Sequence, residues 1–285
     1  PFGHAGEDAL SDCLHQRGLP SFNHNLHTAK IVTVLERRYA AYDGLNLCWE
    51  TLEGIAKHNG PVHGDLAADM ERLFAGFDLE LHTHASAEAQ VAALSDDIAY
   101  NTHDVDDGLR AGLLDFAALA DVALPARALR DIDAAFPGLP ADKRAFEVAR
   151  RMISELIGDV LSNSRGLLAA FAGRGPEDIR AHETHVIAFS PAMYEDLQEL
   201  RAFLFTNLYR HPQVNRRRHK TTKIIRDLFD LYDARPDLLL SEKGMAEAMD
   251  DPVVRAGIVT DTIASMTDKS AIEEHRRQFD LYAID

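Results

Sequence analysis

Helical periodicity runs through almost the whole chain, and no segment shows the alternation of apolar and polar residues expected of a β-strand. Glycines and prolines separate the periodic stretches. The pattern therefore predicts an all-α protein with a looser division near residue 140. The predicted helices are 4–16, 24–42, 48–58, 65–74, 86–111, 113–120, 125–136, 140–173, 191–209, 220–234, 242–249 and 253–275.

Composition narrows the classes of function. The formal net charge of −16 over 285 residues argues against general nucleic-acid binding, because the phosphate backbone would be repelled. Two cysteines make neither a disulfide framework nor a zinc site, so we expect a reducing, cytoplasmic setting. No apolar run approaches the roughly 18 residues that a membrane-crossing helix needs.

One predicted helix carries an unusual polar face. Asp96, Tyr100 and Asp104 project within about one quarter of its circumference, opposite the apolar Ile98 and Val105. Carboxylate oxygens suit hard cations, and tyrosine or histidine donors suit phosphate oxygens. The alternative is an ordinary solvated helix face, which has the same spacing.

A second candidate cluster lies at the beginning of the sequence. His4 and Glu7 are one helical turn apart, so the carboxylate can orient the imidazole and raise its basicity. Such a pair suits a general acid or base acting on water beside a phosphate. The alternative is that Glu7 only favours the positive end of a helix.

Further histidines open the next helix. Asn23 or Ser21 can cap this helix, which leaves His24 and His27 in its first turn, where backbone N–H groups attract phosphate. An ordinary cap with two partly exposed histidines is the alternative. Lys57 closes another helix, where a cation favours the C-terminal dipole, and a phosphate-binding role for it is the weaker interpretation.

Six segments, taken together and in order, resemble the HD-domain deoxynucleoside triphosphate triphosphohydrolases, in particular the bacterial dGTPase-like branch. The matching segments are PFGHAGE (1–7), FNHN (22–25), GLNL (44–47), GIAKH (54–58), DDIAYN (96–101) and MTD (266–268). The resemblance extends almost from end to end. It implies an HD-domain helical bundle with additional C-terminal helices, a catalytic core within 1–139 that lacks its N-terminal part, and a C-terminal region packed on it within 140–285.

The resemblance also implies a divalent cation, Mg²⁺ or Mn²⁺. In the family, a His, an adjacent His-Asp pair and a distant Asp hold the metal inside the bundle. The distant Asp matches Asp96, and the other three ligands would precede Pro1. We therefore expect that the sequence is truncated, and that the 285-residue chain alone does not bind the family metal tightly.

The other family positions imply roles in catalysis and in substrate binding. His4 and Glu7 match a catalytic pair near the α-phosphate, and His24 matches a catalytic histidine that lines the phosphate site. Tyr100 and Asp104 match residues on the deoxyribose side of the nucleotide. The implied reaction converts a deoxynucleoside triphosphate and water into a deoxynucleoside and tripolyphosphate.

The substrate is strongly anionic whereas the protein is acidic, so its pocket must be locally basic. His27, which stands where the family commonly has Gln, and Lys57 are further candidates for substrate binding. Family members commonly form homo-oligomers, and the resemblance implies one here. The alternatives are a non-catalytic nucleotide-sensing or scaffolding subunit, or an HD phosphohydrolase that acts on a signalling nucleotide.

Overall fold

The computed structural model describes residues 1–74, 76–239 and 249–282. Every regular element in these ranges is helical, which confirms the predicted all-α class. The α-helices are α1 (Gly3–His15), α2 (His24–Lys30), α3 (Trp49–Lys57), α4 (Gly64–Leu73), α5 (Ala87–Arg110), α6 (Phe116–Leu119), α7 (Ala123–Ala135), α8 (Ala141–Leu168), α9 (Pro176–Arg180), α10 (Pro191–Leu204), α11 (Pro212–Ala234), α12 (Pro252–Ala264) and α13 (Asp268–Phe279). Two π-helical turns, Ile31–Leu35 and Phe205–Tyr209, continue α2 and α10, and 3₁₀ turns cover Ala169–Phe171 and Pro236–Leu238.

The chain divides into two compact units. Unit 1 combines Pro1–Thr28 with Pro212–Asp285, and unit 2 is Ala29–His211. In unit 1, α1 packs on α11, which also contacts α12 and α13. The N-terminal helix thus joins the C-terminal helices, a pairing between distant segments that helical periodicity does not encode. The regions predicted from the sequence, 1–139 and 140–285, follow a different division and remain a prediction.

Unit 2 has its own apolar core around α5, α7, α8 and α10. α5 packs on α3, α8 and α10, and α7 packs on α8 and α10. Val105, Ile132, Met152 and Leu197 are fully buried in this core. Burial of each such side chain stabilises the fold by about 1.5–3 kcal/mol. Val105 is one of the residues predicted for the apolar side of α5, so the long helix faces the core as its sequence indicates.

α5 has well-defined ends. The Ser86 hydroxyl caps its first turn by accepting the Ala89 N–H at 3.3 Å, and the helix ends at Arg110. Gly112 follows with a φ of +65°, a left-handed conformation that glycine adopts without steric cost. The observed helix therefore agrees with the predicted range 86–111 to within one residue at each end.

Two predicted helices are interrupted. The helix predicted over 24–42 ends with the π-helical turn at Leu35, because the chain folds back and Leu45 donates its N–H to the Val32 carbonyl at 2.8 Å. The helix predicted over 253–275 is divided before α13, where the Thr267 hydroxyl accepts the Ser270 N–H at 3.1 Å and starts a new helix. The helix predicted over 242–249 lies outside the described residues except for Met249, which is in a turn.

Two further observations concern membrane-crossing helices and the cysteines. Within the three described ranges, no helix combines the length and apolar character needed to cross a membrane. Cys13 is buried and Cys48 is exposed, and both are free thiols. Burial raises the pKa of the Cys13 thiol to about 11, so this group stays protonated in the helix-packing interface of unit 1.

Candidate active site

Unit 1 brings two predicted catalytic histidines onto one carboxylate. The Nδ1 atom of His4 lies 3.1 Å from Oε2 of Glu7, and the Nδ1 atom of His24 lies 2.8 Å from Oε1. His4 and Glu7 belong to the first two turns of α1, whereas His24 begins α2. The two imidazole rings are 6.1 Å apart and meet edge to face. Glu7 therefore orients both rings at once, an arrangement that only the folded chain creates. We call these three residues the His–Glu–His cluster.

The beginning of α2 is capped by Asn23. Its side-chain oxygen accepts the N–H groups of Asn25 and Leu26, each at 3.0 Å. The N–H of His24 points to Glu7 Oε1 at 3.3 Å. These backbone donors, which the sequence offered as a phosphate site, are thus already used within the protein. The imidazole of His24, which is half exposed, is therefore the group at the start of α2 that remains available to contact phosphate.

The hydrogen bonds of Glu7 fix the tautomers of its partners. An ionised carboxylate can only accept, so both Nδ1 atoms carry a hydrogen. In a neutral imidazole this leaves the Nε2 lone pair available as a base. The His4 side chain is 79% exposed and can therefore reach a bound molecule. The cluster has the arrangement of a general base whose ring is oriented by a carboxylate.

The acidity of Glu7 responds to these contacts. Burial favours the neutral acid, but the hydrogen bonds from His24 and His4 outweigh it and hold the pKa of Glu7 below its ordinary value of 4.5. The cluster therefore keeps its carboxylate ionised at neutral pH, which the orientation of both imidazoles requires.

This shift predicts a pH-dependent difference between the protein and a Glu7→Gln variant. A lowered folded-state pKa adds stability above the unfolded-state pKa, and this stability is lost as pH falls through the folded-state pKa. We expect the variant to unfold at a lower temperature at pH 7, and the two midpoints to converge below about pH 4.5. Thermal unfolding from pH 7 to pH 3 measures this. Glu273→Gln, at an exposed position of α13, is the control, and a midpoint difference that does not narrow in acid contradicts the assignment.

His27 points into the interior of unit 1. Its imidazole is buried beside the Phe22 ring, with ring centroids 5.5 Å apart. Nδ1 lies 3.3 Å from Asp261 Oδ1, close enough for an ion pair but not aligned as a hydrogen bond. His24 and His27 are therefore in different environments although both begin α2. The substrate-binding role predicted for His27 remains a prediction.

Unit 2 presents the predicted polar face of α5. Asp96 and Tyr100 are exposed and Asp104 is half-buried, whereas Ile98 and Val105 face the core. Burial, which outweighs a hydrogen bond from Tyr209 and is reinforced by Asp107, raises the pKa of Asp104. The face thus offers one solvated carboxylate and one that is partly withdrawn from water.

Tyr209 is a member of this face that the sequence did not reveal. Its hydroxyl donates a hydrogen bond to Asp104 Oδ2, and its ring centroid lies 6.5 Å from that of Tyr100. Burial and the Asp104 carboxylate raise the pKa of Tyr209 above its ordinary range, so the phenol remains a donor. Tyr209 ends the π-helical turn Phe205–Tyr209, and such turns are frequent at functional sites. Nothing in the periodicity of 191–209 marked this residue.

The two neighbouring acids of α5 have different surroundings. Asp97 accepts hydrogen bonds from Arg201 of α10 and, at 3.0 Å, from the Asn101 amide. Asp96 makes no hydrogen bond or ion pair with any residue that the structure describes. The carboxylate of Asp96 is thus exposed and not engaged by the described residues, and the metal-ligand role that the resemblance implies for it remains a prediction.

Lys57 occupies a buried charge cluster. Its ammonium is fully buried, 2.8 Å from Glu53 Oε1 and 2.8 Å from the Thr83 hydroxyl. The Arg180 guanidinium lies 3.2 Å from the same Glu53 oxygen, and the Ser86 N–H also donates to it at 3.2 Å. These contacts join α3, the segment before α5 and the end of α9. The predicted substrate-binding role of Lys57 remains a prediction, and its observed contacts are structural.

The residues present do not fit a complete metal site. Within 1–74, 76–239 and 249–282, no three His, Cys, Asp or Glu side chains are grouped so that they could hold a metal ion. Asp96 supplies one hard oxygen donor, whereas Mg²⁺ and Mn²⁺ require several. We therefore assign no chemical step to a metal.

Comparison with known proteins agrees with the all-α fold. Residues 187–277 match the family model described as a phosphohydrolase-associated domain. These residues include α10, α11, α12 and most of α13. The fold and the match define a protein of the HD phosphohydrolase class.

Curated relatives identify the family within this class. A deoxyguanosinetriphosphate triphosphohydrolase-like protein of Cereibacter sphaeroides is 48% identical over 278 residues, which is 97% of this chain and 73% of the relative. Proteins of the same name from Parvibaculum lavamentivorans and Caulobacter sp. strain K31 are 48% and 47% identical, with 99% of this chain and 72% of each relative covered. The chain belongs to the HD-domain deoxynucleoside triphosphate triphosphohydrolase family, in its bacterial dGTPase-like branch.

Proposed function

We propose that the protein hydrolyses deoxynucleoside triphosphates to a deoxynucleoside and tripolyphosphate. The observation that carries this proposal is the single Glu7 carboxylate that orients both His4 and His24. Membership of the dGTPase-like family supports the same substrate class. A buried or solvated histidine on its own would not support hydrolysis, whereas two imidazoles aligned by one acid resemble a general acid–base device.

In the proposed reaction, His4 Nε2 accepts a proton from water as the water oxygen bonds to the α-phosphorus. The bond between the α-phosphorus and the 5′ oxygen breaks, and the imidazolium returns its proton to that oxygen. The products are the deoxynucleoside and tripolyphosphate, so that atoms and charge balance. We assign His24 to the same phosphates. Its Nδ1–H is bound to Glu7, so a proton on Nε2 supplies the N–H that offsets charge developing on the phosphoryl oxygens.

Separately from the phosphate site in unit 1, the family resemblance assigns recognition of the deoxyribose to the polar face of α5. Asp104 offers an acceptor for the deoxyribose 3′ hydroxyl, and Tyr209 holds that carboxylate in place through its own hydrogen bond. Tyr100 and Tyr209 supply two aromatic rings that restrict the space around the sugar. Such crowding favours a substrate without a 2′ hydroxyl, since an unaccommodated polar group is costly to bury.

The proposal includes a cofactor, a quaternary state and a location. A divalent cation, Mg²⁺ or Mn²⁺, is the expected cofactor, with Asp96 as one candidate ligand. A homo-oligomer is expected from the family resemblance, and the two free cysteines support the expected reducing, cytoplasmic setting. No membrane or nucleic-acid partner is proposed.

An end-product assay tests the function. The protein, expressed from its complete reading frame, is incubated with each dNTP and with GTP in the presence of Mn²⁺ or Mg²⁺. We expect tripolyphosphate and deoxynucleoside to form in equal amounts, with little product from GTP. Release of pyrophosphate or orthophosphate contradicts the proposed bond cleavage, and nucleotide binding without turnover indicates a sensing subunit instead.

A further inference from the structure

The turn before α1 has an unusual backbone. Phe2 adopts a φ of +65° and Gly3 a φ of +53°, so two successive residues are left-handed. Glycine adopts this conformation readily, whereas a residue with a bulky side chain adopts it only rarely. The surrounding structure must therefore hold Phe2 in place, and this residue lies directly before the helix that carries His4.

Three contacts hold the turn. The Phe2 N–H donates to Asp268 Oδ1 at 2.7 Å. The Pro1 carbonyl lies against Gly6, where an added Cβ would come within 1.9 Å of the oxygen. The Phe2 side chain also packs on the apolar core of unit 1, as does Met266. The turn is thus pinned by a polar contact on its backbone and by apolar packing of its side chain.

Asp268 is held in a position from which it can fix the turn before α1. It is the first residue of α13, and the Thr267 cap that starts the helix fixes its backbone. It belongs to the 266–268 segment, to which the proposed reaction gives no role. The helix dipole favours an acid in the first turn of any helix. Asp268 differs from other such acids because it also contacts Phe2.

We propose that Asp268 is a positioning residue for His4, an inference that rests on the proposed function. The Phe2 carbonyl accepts the Gly6 N–H at 3.4 Å, the first helical hydrogen bond of α1. When Asp268 holds Phe2, this first turn is fixed and His4 stays beside Glu7. Without the contact, the strained turn relaxes, the first turn of α1 frays and the His4 imidazole loses its alignment.

A double-mutant cycle tests the inference. Asp268→Ala should lower kcat by about 10–100-fold, because misplacement of a catalytic group by about 1 Å has effects of this size. Asp268→Asn keeps an acceptor oxygen and should retain most activity. The loss should persist in a Phe2→Ala background but fall below about threefold in a Phe2→Gly background, since glycine needs no anchor at positive φ. Phe2→Ala and Phe2→Gly both remove the ring, so they differ only in backbone preference.

The controls separate this role from plain stability and from failure of the proposed function. Asp142→Ala removes an exposed acid from the first turn of α8 and should leave kcat unchanged. Hydrogen exchange of residues 1–7 needs no activity, and Asp268→Ala should accelerate it. An equal kcat loss in both Phe2 backgrounds, or unchanged exchange of residues 1–7, overturns the inference. Absence of dNTP turnover in the unmodified protein, with accelerated exchange in the variant, overturns the proposed function alone.

Discussion

Replacement of His4 by Ala should reduce kcat for dNTP hydrolysis by about 10²–10⁴-fold, the usual contribution of a general acid or base. The imidazole is 79% exposed, and among the described residues it contacts the Glu7 carboxylate and the edge of the His24 ring, so its removal should leave the thermal midpoint almost unchanged. A large loss of rate in a folded protein is the signature of a catalytic group. Steady-state kinetics with tripolyphosphate detection, together with thermal unfolding, measure both quantities.

His15→Ala is the matched control for this experiment. His15 lies on the same helix and is exposed, and its ring contacts the Ser21 hydroxyl at 2.7 Å. We expect this variant to keep nearly all activity. If His4→Ala retains more than about a tenth of the original kcat, the base is another group, and the His–Glu–His cluster has only a binding role.

The second large effect concerns stability. Glu53→Gln should destabilise unit 2 by about 3–5 kcal/mol, because it leaves the Lys57 ammonium and the Arg180 guanidinium close together without their shared counter-ion. Both Glu53 and Lys57 are fully buried, so water cannot screen the two cations. A loss of this size corresponds to a fall of roughly 10 °C in the thermal midpoint. Circular dichroism during heating and urea titration measure it.

Glu50→Gln tests whether the effect comes from burial. Glu50 lies on the same helix, α3, but is exposed to solvent. This variant should unfold close to the midpoint of the unmodified protein. If Glu53→Gln costs less than about 1 kcal/mol, the charges are compensated by groups other than the ones seen in the structure.

The sequence predicted the helices well where a cap or a glycine marks the end. Gly112 after α5 is such a signal, and this helix of 24 residues ends within one residue of the predicted position. The break before α13 was missed because apolar residues keep their helical spacing through Thr267, which acts as a cap only once Ser270 folds back on it. The pairing of α1 with α11 was also beyond the sequence, since it joins residues about 200 positions apart.

The candidate site was predicted in part for a similar reason. His4 and Glu7 are neighbours within one helix, so their spacing alone predicted the contact that the structure contains. The approach of His24 depends on how α2 meets α1, and the partnership of Tyr209 with Asp104 depends on how α10 ends beside α5. Contacts between helices follow from packing, which a single sequence does not specify. The roles of these residues in catalysis remain predictions.

The buried Glu53 cluster also limits how this region can change during evolution. Loss of Glu53 leaves two buried cations without a counter-ion, whereas loss of Lys57 or Arg180 leaves a single ion pair, and an apolar trio of similar volume would be tolerated. Every series of single substitutions toward such a trio therefore passes through an intermediate with a buried charge that lacks a partner. The three positions, which lie up to 127 residues apart, should therefore be retained or replaced together. They should covary among relatives more strongly than the exposed pairs around them.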